Sequence, residues 1–285
     1  MKSVTGLLTF MIVSITLSSH VYGLPCVTDG LVSYWTFDKS NISGRKVEDV
    51  WGDNNAIIKG NPKVVTGQIG EALEFDGSED YVNLTNLGDF GSQMGSSTFE
   101  AWIKVGHKND WMVLFKVRDK DCMQWEFNIH SGRRRAKDEA SINHRIAFKA
   151  PGENACQGFG VRDRPIKILD GKWHHIVYTN EIVKKDIAAI GKTFRQHNIY
   201  VDGKPISSLE SPLMFTGTFI PFVKPVHLGA GDNQNFFKGS IDEVRIYNRP
   251  LTETEVIQNF ESRTGLSVEP NSPLPIAWGT IKTAF

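Results

Sequence analysis

Long apolar runs, net charge and cysteine are what this chain of 285 residues has least of. Past the first two dozen residues, no apolar stretch approaches the roughly 20 residues that span a bilayer as a helix. Its 32 basic and 32 acidic residues cancel, so no net field draws it to nucleic acid or to an anionic membrane. The cysteines number only three, Cys26, Cys122 and Cys156, with no Cys-x-x-Cys pair, which excludes the usual zinc spacings. A Gly-x-Ser-x-Gly elbow, a His-Glu-x-x-His helix and a phosphate loop are also absent. Helical periodicity is confined to one short segment near the end.

The opening residues have a different character. Lys2 precedes an apolar run, Leu7 to Leu17, and small or tolerated residues lead to Gly23. A positive start, a run too short to span a bilayer and a small-residue exit read as a secretory signal over residues 1–23, an uncleaved anchor being the alternative. A domain over 24–262 and a tail over 263–285 then follow. The tail, with Trp278 and Phe285, reads equally as disordered, packed on a sheet edge or a sorting signal. In an oxidising compartment one disulfide is expected and one thiol is left over. Cys122 and Cys156 share the polar central region and form the expected pair, against three unpaired thiols.

The body of the chain is short alternating runs bounded by Gly, Asp and Asn. Thr98–Val105 places Phe99, Ala101, Ile103 and Val105 on one face, and some dozen runs of this kind read as half-buried strands. Ala72–Phe75, Asp76-Gly77 and Tyr81–Leu84 read as a hairpin, and so does Asn198–Val201 before Asp202-Gly203. Strands without helices between them indicate an antiparallel sandwich or barrel. Thr252-Glu-Thr-Glu255 is a capping box, with Val256, Ile257 and Phe260 as the apolar side of its helix. Gln124–His130 and His144–Lys149 alternate as strands, and the polar insertions between Asp119 and Leu169, including Asp119-Lys-Asp121 and Arg133-Arg-Arg135, read as long rim loops. Trp35, Trp102 and Trp173 are the large side chains expected in the core.

Six blocks in order resemble the laminin-G-like jelly-roll domains of the concanavalin A-like lectin and glucanase type. They are Leu31–Asp38, Asp53–Gly60, Gly67-Gln-Ile-Gly-Glu-Ala-Leu-Glu-Phe-Asp-Gly77 with Asp80-Tyr-Val82, Asp170–Val177, Tyr200–Lys204, and Phe237–Asn248 with Leu251-Thr-Glu253. The resemblance implies an all-β, two-sheet antiparallel jelly-roll sandwich with one short C-terminal helix. Many relatives hold a structural Ca²⁺, which takes six to eight oxygens. The donors inside the matching blocks are Asp38, Asp53, Asn54, Asp80 and Asp242, and the expected pair is Asp53 with Asp242, from the early and closing strands.

The same fold hosts glycoside hydrolases and polysaccharide lyases, so catalysis has to be tested on residues. Glu74 and Asp76 stand two apart on a strand, as a retaining pair would, but in a turn that matches the family's non-catalytic one. His174 and His175 face opposite ways on a strand and cannot share a metal. Asn128-Ile-His130 carries only part of a lyase pattern. No catalytic residues are expected. Ligand contacts are expected at Asp232, Asn233, Asn235 and Phe236, a polar loop running into an aromatic pair; Trp111, Trp125, Phe159 and Phe237 qualify by residue type alone. The expectation is a secreted or cell-envelope, non-catalytic binding or adhesion module for an extracellular glycan or protein surface, with an optional Ca²⁺. A secreted glycan-active enzyme and a structural envelope protein are the alternatives.

Overall fold

The computed structural model describes residues 25–84, 87, 96–106, 111–118, 124–131, 136–149, 156–162, 165–184, 193–212, 226–231 and 235–262. The expected leader, the tail, Arg133–Arg135 and Cys122 lie outside these residues, as does the side chain of Cys156. Among the described residues there are eighteen strands and one α-helix. In chain order they are β1 (Leu31–Trp35), β2 (Ile42–Ser43), β3 (Lys46–Val47), β4 (Ala56–Lys59), β5 (Lys63–Thr66) and β6 (Glu71–Asp76). Next come β7 (Tyr81–Leu84), β8 (Ser97–Val105), β9 (Trp111–Arg118), β10 (Gln124–His130), β11 (Glu139–Lys149) and β12 (Cys156–Arg162). Then follow β13 (Ile166–Lys167), β14 (His174–Lys184), β15 (Thr193–Val201), β16 (Lys204–Pro212), β17 (Val226–Leu228), β18 (Lys238–Tyr247) and α1 (Glu253–Glu261).

These strands make two antiparallel sheets. The first runs β16-β15-β14-β8-β18-β6-β5 with β1 paired to β18, and the second runs β12-β11-β10-β9-β17-β7-β4-β3-β2 with β13 on β11. Alternation decides what goes between them. Phe99, Ala101, Ile103 and Val105 of β8 enter the core as expected, and meet Phe115 and Phe127 of the second sheet. The Phe99 and Phe115 ring centroids are 4.7 Å apart. Each aromatic ring removed from water there contributes about 2–3 kcal/mol. Trp35 is fully buried in this core.

Turn chemistry behaves as its residues require at one site and differently at another. At Asp202-Gly203 both residues have positive φ, 52° and 73°, the backbone of a tight two-residue hairpin; it joins β15 to β16. Asp76-Gly77 does not close a hairpin, because β6 belongs to the first sheet and β7 to the second. The crossing is held by Asp80, whose carboxylate accepts from Asn61 N at 2.7 Å and Asp76 N at 3.0 Å. The expected strands Gln124–His130 and His144–Lys149 are β10 and the second half of β11, whereas β12 and β13 fall in the stretch expected to carry polar insertions. Trp173 precedes β14 and is half-buried outside the core, so strand alternation never turns it inward.

The outward face of the first sheet is covered by α1 and by residues 25–30. The expected capping box is formed: Glu255 N donates to Thr252 Oγ1 and Thr252 N to the Glu255 carboxylate. Val256 is buried and Phe260 stacks on Trp102 with centroids 5.6 Å apart, while Ile257 is exposed. Asn259 takes the remaining buried position, because this face of the sheet is polar. Its Nδ2 donates to Glu100 Oε2 at 2.7 Å and to Tyr247 Oη at 3.0 Å, and its Oδ1 accepts from Val27 N at 2.7 Å. Arg245, wholly buried, donates to Glu100 Oε1 at 2.6 Å, to Tyr34 Oη at 2.9 Å and to Glu243. Burial opposes charge on Glu100, yet His175, Arg245 and Asn259 outweigh it and hold the carboxyl at about 2. A bulge in β18 between Asp242 and Arg245, with Glu243 at φ 53°, lets this strand present its acid and base together.

Candidate ligand-binding face

The second sheet also turns polar residues away from the core, and no helix packs over them among the described residues. The alternation that buries Val82, Leu228, Phe127 and Ile142 points Asn83, His227, Glu126, Asn128 and Asn143 the other way. Register then aligns them. Asn83 lies opposite His227, His227 opposite Lys116, Lys116 opposite Glu126, and Glu126 opposite Arg145. At about 4.8 Å between strands, this row from β7 to β11 is roughly 19 Å long. A bulge in β9 and β10 at Phe127/Asn128 sets Leu114 and Phe115 both in the core and keeps Lys116 outside it.

Between this row and its neighbour, where Asn128 lies opposite Asn143, the hydrogen bonds converge on Glu126. Lys116 Nζ lies 3.2 Å from Glu126 Oε2, with side chains 9% and 12% exposed. Asn128 Nδ2 donates to Glu126 Oε1 at 2.7 Å, and Asn143 Nδ2 donates to Asn128 Oδ1 at 3.1 Å. An ionised carboxylate only accepts, so it fixes the orientation of both amides. The chain therefore ends in a bare acceptor, Asn143 Oδ1, which is buried and has no hydrogen-bond partner among the described residues; Asn83 Oδ1 is in the same condition. Half-buried rings flank the row. Tyr81 lies 4.9 Å from His227 and 6.5 Å from Phe236 between centroids, and Trp111 stacks on His130 at 4.3 Å.

The residues expected from sequence fall in several places. Asp232 and Asn233 lie outside the described residues. Asn235 has φ 56° and its carbonyl accepts from Val113 N at 2.8 Å, which ties that loop to β9; Phe236 next to it reaches Tyr81. Trp111 is on the face, whereas Phe237 is fully buried, edge-on to Phe75, and is a core residue. The side chains of Trp125 and Phe159 lie outside the described residues. Glu74 and Asp76 are exposed on β6, where Asp76 accepts from Ser78 N and Glu79 N as a turn cap. His174 is bracketed by Asp202 at 2.8 Å and Asp170 at 3.0 Å, while His175 packs beside Trp102 under α1. Cys26 is a buried free thiol. Asn83, Lys116, Glu126, Asn143 and His227 were not singled out as a site, because the row exists only in the register.

The carboxylates expected to share Ca²⁺ are also apart in character. Asp53 is exposed in the turn before β4. Asp242 is fully buried; its Oδ2 accepts from Gln68 N at 2.8 Å and Ile69 N at 3.1 Å, and its Oδ1 has no partner among the described residues. Burial and the neighbouring Glu243 charge raise its carboxyl to about 8 despite those bonds. Asp38 accepts from Glu71 N at 2.8 Å, so two carboxylates bond the 67–71 turn. A bare carboxylate oxygen in a buried, acid-rich spot suits a hard cation, and Asp242 with Asp38 fits that requirement better than Asp53. Among the described residues no group of three or more His, Cys, Asp or Glu side chains is placed to hold a metal.

Two stacked antiparallel sheets and one terminal helix define a jelly-roll sandwich of the concanavalin A-like type. The family model described as the concanavalin A-like lectin/glucanases superfamily matches residues 76–257, and the chain belongs to that superfamily. No curated protein sequence matches it. Among solved structures it is similar to the binding domain of Paraclostridial Mosquitocidal Protein 1, with TM-score 0.58 and 19% identity over 82% of this chain and 52% of that one. It is similar to domain 4 of a GH43 extracellular arabinanase from Geobacillus stearothermophilus, solved with arabinotriose, with TM-score 0.53 and 17% identity over 81% of this chain and 98% of that one. A botulinum neurotoxin DC binding domain gives TM-score 0.55 and 14% identity over 84% and 52%. The chain thus spans about half the length of the toxin binding domains and nearly all of the arabinanase domain.

Proposed function

We propose that the protein is a secreted carbohydrate-binding module whose ligand lies across the outward face of the second sheet. The observation that carries this reading is the pair of unpartnered amide oxygens, Asn83 Oδ1 and Asn143 Oδ1, on one face with the Glu126 cluster and half-buried rings. A sugar satisfies both, since its hydroxyls donate to amide oxygens and its apolar ring faces pack on aromatic ones. The arabinanase domain, solved with an arabinose oligomer, supports the same use of the fold. Turnover is not part of the proposal. Acid–base glycoside hydrolysis uses two carboxylates, and among the described residues Glu126, already engaged with Lys116 and Asn128, is the acid in this row. Secretion rests on the leader over residues 1–23; no described helix is long and apolar enough to cross a membrane.

Calcium belongs to the proposal as a structural ion at Asp242 with Asp38, where it would neutralise a buried carboxylate and stiffen the 67–71 turn. It would take no part in holding the sugar.

The test is a glycan array probed with the full chain and with Asn143→Leu and Lys116→Ala variants. Retention of a defined glycan class by the full chain, lost in both variants while their thermal midpoints stay within a few multiples of about 2–4 °C of the parent, is the expected result. An array that retains nothing, or variants that bind as the parent does, refutes the reading.

A further inference from the structure

The two unpartnered amide oxygens stand far apart, and each has rings of its own nearby. Asn83 is on β7, two residues along from Tyr81, whose ring lies 4.9 Å from His227 and 6.5 Å from Phe236. Asn143 is on β11 opposite Asn128 of β10, and two residues further along β10 the ring of His130 stacks on Trp111 at 4.3 Å. Three strands, β17, β9 and β10, separate β7 from β11 in the sheet. Four strand spacings make the gap between the two acceptors roughly 19 Å. Lys116 and Glu126, paired with each other at 3.2 Å, lie between them. The face therefore repeats one piece of chemistry, a buried acceptor near half-buried rings, at two well-separated places.

A repeated site fits a repeating ligand. A single sugar ring is about as wide as the step from one strand to the next. It donates a hydroxyl to Asn83 Oδ1 or to Asn143 Oδ1 and leaves the other without a donor, at a cost comparable to a lost hydrogen bond. A linear chain offers the same hydroxyls and the same apolar ring face at every unit, and about four units cover the gap. Once one end is seated, the second contact forms within the same complex, so its gain multiplies that of the first. We propose that this face binds a linear oligosaccharide of at least about four sugars, laid across the strands from β7 to β11. One sugar lies over Tyr81 and Asn83, and another over Trp111 and Asn143. This deepens the carbohydrate-binding reading and rests on it.

The experiment is isothermal titration of the full chain with arabino-oligosaccharides and with cello-oligosaccharides, each from the single sugar up to the hexamer. The expected result is that affinity within a bound series rises at least about tenfold from the dimer to the tetramer and is level from there to the hexamer. Asn83→Leu and Tyr81→Leu, which remove the acceptor and the ring of one end, are each expected to abolish that rise, so that the hexamer binds about as weakly as the dimer. Circular dichroism and thermal melts confirm that the variants are folded. A single sugar or dimer that binds as tightly as the hexamer overturns this inference and leaves carbohydrate binding standing. Folded variants that keep the parent's dependence on length overturn it as well. No binding of either series at any length overturns both.

Discussion

The two sheets each send polar residues outward, and the molecule finishes the two faces in opposite ways. On the first sheet, Arg245, Glu100, Glu243, Tyr34 and Asn259 bond to one another, and α1 seals them from water. Atoms there that lack a partner, such as Trp102 Nε1 and Arg245 Nε, lie under the helix where no ligand reaches them. On the second sheet the bonds converge on Glu126 and leave two buried amide oxygens, Asn83 Oδ1 and Asn143 Oδ1, without a partner among the described residues, beside half-buried rings. The contrast separates a polar network that serves folding from one that awaits a partner, although both are made of the same residue types on the same kind of strand.

Breaking the sealed network has the largest expected effect. Arg245→Met leaves Glu100 and Glu243 buried without their counter-charge and is expected to cost about 3–5 kcal/mol in chemical denaturation; a loss below about 1 kcal/mol would mean that water already enters this face. Asn259→Ala, which strips bonds from Glu100, Tyr247 and Val27, is expected to cost about 1–3 kcal/mol by the same measurement. The opposite face should answer differently. Asn143→Leu, which leaves Asn128 Oδ1 without its donor, is expected to cost no more than about 1–3 kcal/mol while removing glycan binding, and a loss as large as that of Arg245→Met would erase the distinction.

Asp242 sharpens the comparison by pH, since it is the acid of the sealed face with no cation beside it. Its folded value, about 8, is raised above the unfolded value of about 3.9. Its contribution to stability is therefore full below about pH 4 and fades as pH rises through about 8. Melting curves of the wild type should fall over that window and those of Asp242→Asn should not. Added calcium, by favouring the charged form, should lift the wild-type midpoint at pH 8 and leave the variant unmoved. The smallest effect is expected at His174, away from both networks. Its two aspartates outweigh burial and raise its pKa, so its stabilisation is complete below about pH 6.5 and is lost as pH climbs past the raised value. A small drop in midpoint above neutrality, absent in His174→Gln, is the sign to look for.

Much of this was legible in the sequence where the cause was local. Asp202-Gly203 fixes its own turn, Thr252 and Glu255 cap their own helix, and Phe99 to Val105 alternate within one strand. Where the cause was distant, local signals misled. Asp76-Gly77 has the residues of a tight turn, but the pairing of β6 and β7 with different partners overrides it. Asn259 sits where a solvent residue would, and is buried because the sheet beneath is charged. Phe236 was found through its loop. The row beside it was not, since Asn83 and His227, 144 positions apart in the chain, become neighbours only once β7 and β17 pair.

The clasp between α1 and residues 25–27 also has a mechanical consequence. Gln258 Nε2 donates to Pro25 O, and the pair formed by Leu31, the first residue of β1, and Tyr247, the last of β18, lies at that same end. A load applied through residues 25 and 262 therefore peels this antiparallel ladder one bond at a time instead of shearing its bonds together. Tension would lift α1 first, and the Cys26 thiol, now buried with its pKa raised by that burial, would meet solvent before either sheet came apart.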